Sequence, residues 1–105
     1  MKYFTVKNEK EYRIIQVELL LAVEVNDYLC TFYAENEPPF SCVESLGKIL
    51  SELPDCFIRI SRNCIVSVQH IKSIDFKNRK VRLSGNMTFS FSTRNAKALK
   101  QMFDK

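Results

Sequence analysis

Phe57-Ile58-Arg59-Ile60-Ser61-Arg62-Asn63-Cys64-Ile65-Val66-Ser67-Val68 sets two short apolar runs around a polar triplet. The runs Phe57 to Ile60 and Cys64 to Val68 are short, and the second is dominated by β-branched residues, so the stretch reads as strand, tight polar loop, strand. Apolar residues on both sides anchor the strands in a core. Ser61-Arg62-Asn63 has nothing apolar to bury and points outward with its hydrogen-bonding groups free. A guanidinium forks onto O6 and N7 of guanine, and a carboxamide pairs with N6 and N7 of adenine. A rigidly mounted Arg-Asn pair is therefore chemically suited to the major groove of a duplex, although an exposed Arg-containing loop is also ordinary solvated surface.

Working outward from this stretch, Ser45 is placed to cap a short helix whose Leu46, Ile49, Leu50 and Leu53 share one face and which Pro54 stops. Before it, Tyr3 to Lys7 and Glu11 to Val17 alternate around Asn8-Glu9-Lys10 and predict a hairpin. Glu18 to Leu21 is ambiguous between one helical turn and the start of the strand Ala22 to Val25. Asn26-Asp27 is a turn signal, and Tyr28 to Ala34 alternates with rings on both faces, as a strand inside a sheet would. Pro38 and Pro39 break the ladder before a short return strand, Phe40 to Val43.

Downstream, Ile71 to Phe76, Arg79 to Ser84 and Met87 to Phe91 form a meander with turns at Lys77-Asn78 and Gly85-Asn86. Ser92 or Thr93 caps a closing helix with Ala96, Leu99, Met102 and Phe103 as its apolar stripe. Arg94 falls in the first turn of that helix, where a cation gains nothing from the helix dipole. The free N–H groups there suit a phosphate or a base edge; the alternative is an Arg whose stem packs on a ring such as Phe91.

The 105 residues, 46% apolar and 11% aromatic, are enough for one domain (1–105) with a single core. The net charge of +4 hides an asymmetry: Met1 to Cys56 carries −5 and Phe57 to Lys105 carries +9. Such a split predicts that the second half offers a basic face to a polyanion, with part of it neutralised across the fold. No apolar run approaches the length of a membrane span and no leader pattern precedes the first strand, so the expected setting is cytoplasmic. Cys30, Cys42, Cys56 and Cys64 lack metal-ligand spacing and accompany a single histidine, His70. They read as reduced, partly buried small hydrophobes, with a redox-sensing pair as the alternative.

No nucleophile, base and orienter set is present, and only Gly47 and Gly85 could serve a phosphate loop, so neither an enzyme nor a cofactor or metal site is expected. His70 is a turn residue between strands. Tyr28 and Tyr33 could stack on single-stranded bases, but rings on alternating strand positions are more often packing.

The run Phe57-x-Arg59-x-Ser61-Arg62-Asn63-x-Ile65-Val66-Ser67, then His70-Ile71-x-x-Ile74, Val81-x-Leu83, Gly85 and Phe91-Ser92-x-Arg94, resembles the LytTR DNA-binding domain of bacterial transcription regulators. That family has an F-x-R-x-H-R-S-x-(I/V)-V-N core, an I-x-x-I strand, a hairpin and an S-x-R helix start. The resemblance extends from about Tyr12 to Phe103. Ser61 stands where the family has His, Asn63 where it has Ser, and Ser67 where it has Asn.

The resemblance implies a mainly β domain of small antiparallel sheets set side by side, with one short internal helix and a C-terminal helix. It also implies loops, rather than a recognition helix, laid into successive major grooves. Carried over by position, the base-facing residues would be Asn26, Tyr28, Ser61, Arg62, Asn63 and Arg94. Asp27 beside them would repel phosphate unless it accepts from a cytosine N4. Lys72, Lys77, Arg79, Lys80, Lys97 and Lys100 are the candidate phosphate contacts. The implied partner is double-stranded DNA with repeated half-sites, bound as a dimer, with a receiver or sensor domain elsewhere in a two-component response regulator. The reading from another class is a protein-interaction module whose basic second half docks an acidic partner.

Overall fold

The computed structural model describes residues 2–104. The element that organises them is β3 (Leu20–Asn26), whose first four residues are all buried. A strand covered on both faces carries a continuous apolar run instead of an alternation, which is why Leu19-Leu20-Leu21 gave no period. The ambiguous segment before it resolves into a single 3-10 turn, Val17–Leu19, leading into the strand.

Around β3, the strands β4 (Leu29–Ala34), β5 (Phe40–Val43), β6 (Phe57–Ser61) and β7 (Cys64–Ser67) complete a five-stranded sheet in the order β5-β4-β3-β7-β6, antiparallel throughout. The organising stretch of the sequence is thus a hairpin at one edge of this sheet, and β4 lies inside it. The expected N-terminal hairpin is present as β1 (Tyr3–Lys7) and β2 (Tyr12–Gln16). The meander is present as β8 (Ile71–Asp75), β9 (Lys80–Leu83) and β10 (Thr88–Ser90). Two helices, α1 (Leu46–Glu52) and α2 (Thr93–Phe103), complete the described residues. The fold is mainly β, built of three small antiparallel sheets with one short internal helix and a C-terminal one.

Each face of the five-stranded sheet has its own core. Val23, Cys30, Phe32, Phe57 and Ile65 pack with Val6 and Ile15 of the first hairpin and with Leu46 and Ile49 of α1. Leu21, Ala22, Ile60, Cys64 and Val66 pack with Val81, Leu83, Phe89, Phe91 and Leu99, which belong to the meander and α2. Burying one such aliphatic side chain contributes about 1.5–3 kcal/mol, so these contacts fix where the two coverings sit. Both helices start on a serine: Ser45 Oγ accepts from Lys48 N at 3.2 Å and Ser92 Oγ from Asn95 N at 3.3 Å. Phe103 departs from the stripe expected of α2. It lies near the end of the helix and is 49% exposed, while Leu99 carries the packing.

The four cysteines are free thiols, with Cys30 and Cys42 directly opposite one another on β4 and β5. Burial pushes the thiols of Cys30 and Cys64 up to about 12, so both stay protonated at neutral pH and behave as small core hydrophobes. His70 sits in the 3-10 turn Val68–His70, with its Nε2 2.7 Å from the Glu18 carbonyl and its Nδ1 3.8 Å from a Glu35 carboxylate oxygen. It ties the turns at one end of the sheet together.

Candidate functional site

The opposite end of the five-stranded sheet collects the loops singled out in the sequence. β3 stops at Asn26 and β4 starts at Leu29, leaving Asp27-Tyr28 as the hairpin tip; Asp27 takes a left-handed φ of 58°. β7 runs antiparallel to β3 with Cys64 opposite Glu24, so the Arg62-Asn63 tip of the β6–β7 hairpin emerges beside it. The two tips are joined: Val25 N–H donates to the Asn63 carbonyl at 2.8 Å. Val43 lies opposite Leu29, which brings the end of β5 and the start of α1 to the same place. Tyr28 is 84% exposed at the outermost point, and Asp27, Tyr28, Glu44, Arg59, Arg62 and Asn63 share one surface depression.

A bulge shapes the second hairpin. Arg59 pairs with Ile65 and Ser61 with Cys64, so Ile60 is an extra residue on β6, and its side chain is fully buried. A bulge of this kind bends the strand and redirects the side chains beyond it. Ser61 is half-buried and its Oγ accepts from Asn63 N–H at 3.3 Å, which ties the tip to its own strand.

The start of α2 is fastened to the exposed side of β6. Ser92 N–H donates to the Ile60 carbonyl at 2.9 Å, and the Asn95 side-chain amide donates to the Arg59 carbonyl at 3.1 Å. Arg94, the second residue of the helix, is exposed there. A second depression follows, lined by Arg59, Ser61, Arg62, Ser92, Thr93, Arg94 and Asn95. Arg62 borders both depressions.

The meander brings Arg79 to the start of α2, although Arg79 lines neither depression. Arg79 closes the β8–β9 turn with a left-handed φ of 54°; its carbonyl accepts from Phe91 N–H at 3.0 Å and its Nη1 donates to Thr93 Oγ1 at 2.7 Å. The same turn is held by Asn78, whose backbone and side-chain nitrogens lie 3.0 and 2.8 Å from the Asp75 carboxylate oxygens. Those bonds from Asn78 keep the Asp75 carboxyl below its ordinary range.

Among the described residues, the ion pairs are Arg13–Glu11, Lys48–Glu44 and His70–Glu35. None involves Arg59, Arg62, Arg79 or Arg94. Of the residues singled out from sequence, Tyr28, Arg62 and Asn63 meet in the first depression, Ser61, Arg62 and Arg94 in the second, and Asn26 sits exposed at the base of the first tip. Lys97 follows Arg94 by three residues and shares its helix face. Lys72, Lys77 and Lys80 are exposed on the three-stranded sheet and line neither depression; Lys80 Nζ donates to Ser90 Oγ at 2.7 Å. Lys100 lies in the last turn of α2, where a cation complements the helix dipole.

Arg59 was not among the site residues named from sequence, yet it borders both depressions. The available signal was a charged residue in the middle of an apolar strand.

Over residues 10–104 the sequence matches the family model described as the LytTr DNA-binding domain. No curated protein matches the chain. Among solved structures, a domain from Bacillus cereus described as the LytTr DNA-binding domain of a methyl-accepting/DNA response regulator superposes with a TM-score of 0.85 at 24% identity. The match covers 100% of this chain and 99% of that one.

Proposed function

This chain belongs to the LytTR DNA-binding domain family, and from that premise we propose that it reads double-stranded DNA by sequence, as a bacterial transcription regulator in the cytoplasm. Arg62, Asn63 and Arg94 reach base edges, assisted by Ser61 and by Asn26 and Tyr28 at the neighbouring tip, with the loops entering major grooves. Lys72, Lys77, Arg79, Lys80, Lys97 and Lys100 supply phosphate contacts that set affinity without sequence preference. Two copies occupy repeated half-sites, and a receiver or sensor domain elsewhere in the protein supplies the input of a two-component system. The activity is binding, with no catalytic step.

The observation that carries this reading is the convergence of Arg59, Arg62 and Arg94 on one depression beside two polar hairpin tips, with no ion-pair partner for any of the three among the described residues. Like charges gathered without a counter-charge repel one another, and a polyanion relieves that repulsion. The test is competition at fixed salt between a duplex carrying the preferred repeat and a scrambled duplex of equal length. A base reader discriminates between them; a basic surface meant for an acidic protein binds both alike.

A further inference from the structure

We infer that the depression between β6 and the start of α2 seats a single phosphodiester of the DNA backbone, held by Arg59, so that Arg59 sets the register from which Arg62 and Arg94 reach the bases. The inference rests on the reading that the domain binds duplex DNA and assigns a separate task to a residue within it.

Three observations support this division. First, Arg59 springs from the body of an edge strand, between the hairpin tip and the helix, whereas Arg62 is carried on the projecting tip. A side chain rooted lower on the surface meets the rim of a groove, where phosphates lie, while the tip reaches the floor.

Second, the backbone beneath Arg59 is held on both sides. Its carbonyl accepts from Asn95 and the next carbonyl, that of Ile60, accepts from Ser92 N–H. The relative positions of Arg59 and Arg94 are therefore set by hydrogen bonds before any ligand arrives, which is what a register contact requires.

Third, the residues lining this depression include hydroxyls and an amide but no carboxylate. The depression on the other side of Arg59 does include Asp27 and Glu44, with Glu44 3.5 Å from Lys48 Nζ. A phosphate is favoured on the α2 side of Arg59 and disfavoured on the other, so the guanidinium has one direction in which to take an anion.

The experiment measures binding of wild type, Arg59→Ala and Arg59→Lys to the preferred duplex and to a random-sequence duplex over a range of salt. The set is repeated with duplexes in which one phosphate at a time is replaced by a neutral methylphosphonate. Arg59→Ala should weaken binding to both duplexes by the same factor, roughly five- to tenfold, and reduce the slope of log affinity against log salt by about one. Arg59→Lys should keep most of the slope. One methylphosphonate position should weaken wild type and leave Arg59→Ala unchanged.

Wild-type affinity and slope in Arg59→Ala would overturn the inference, as would loss of discrimination at one base pair, which would make Arg59 a base reader. Failure of wild type to prefer any duplex would instead refute base reading, while the slope measured on random duplex would still report on Arg59. Arg59 is exposed, so unchanged thermal melting of the variants serves as the control for folding.

Discussion

The side-chain amide of Asn95 donates to the main-chain carbonyl of Arg59 across 3.1 Å, so the first turn of the C-terminal helix is bonded to the edge strand that carries the central hairpin. Asn95 bears no charge and lines the same depression as Arg59, Arg62 and Arg94. Its role is to hold two cation-bearing elements at a fixed separation.

Asn95→Ala removes the bond to the Arg59 carbonyl and the one its Oδ1 accepts from the Ser92 hydroxyl, and should therefore cost about 1–3 kcal/mol in denaturant unfolding, the usual net value of two hydrogen bonds. The variant should also bind its preferred duplex more weakly while the salt slope stays at the wild-type value, because no phosphate contact is removed. A reduced slope would show that Asn95 acts through charge placement on the backbone and not through the spacing of the two elements.

Arg79 offers a cleaner separation of stability from binding. Its left-handed φ of 54° is uncommon for a side chain of this kind, and Asn adopts that region more readily. Arg79→Asn relieves the backbone and loses the exposed bond to Thr93. These two effects oppose each other, so unfolding stability should change by less than about 1 kcal/mol. If Arg79 meets a phosphate, affinity should fall on specific and random duplex alike and the salt slope should drop by about one. Unchanged affinity would remove Arg79 from the contacts.

The turn that presents Arg79 should be sensitive to acid. Hydrogen bonds from Asn78 lower the Asp75 pKa in the folded protein, so folding favours the carboxylate. The sign follows from linkage: this contribution is complete above the unfolded value of about 3.9 and disappears as pH falls through the lower folded value. The stability gap between wild type and Asp75→Ala should therefore close only in strong acid, and the Asp75 carboxyl should titrate below 3.8 by carbon NMR. A gap unchanged from neutral pH down to about pH 2 would contradict this account.

Much of the fold could be read from local pattern. The first hairpin, the Ser45 cap and the β6–β7 hairpin each follow from alternation, a capping hydroxyl or a polar triplet between apolar runs, which are signals within a few residues. Leu19-Leu20-Leu21 was unreadable because β3 is buried on both faces and loses its alternation. Arg79 was placed in a strand because nothing in the sequence marks an arginine as left-handed. Phe103 was placed in the apolar stripe of α2, although it lies near the end of the helix and has little to pack against.

The candidate site offers signals residue by residue but not as an arrangement. Arg62, Asn63 and Arg94 stand out by their own positions in a loop and a helix start. That Arg94 comes beside Arg62 depends on hydrogen bonds from Ser92 and Asn95 to carbonyls of β6, more than thirty residues earlier, and no local pattern carries that information. Arg59 stands in the signature run but has no site role in the sequence reading for the same reason, since its place beside Arg94 depends on what the helix brings next to it.

The most direct test of base reading by the two hairpin and helix arginines is selection from a randomised duplex pool at physiological salt, with wild type, Arg62→Ala and Arg94→Ala run side by side. The account predicts that wild type enriches a short repeated motif, that each variant relaxes it at a different base pair, and that each loses about 1–3 kcal/mol on the preferred duplex with little change on random DNA. Enrichment of no motif by wild type, or of an identical motif by all three proteins, would contradict it.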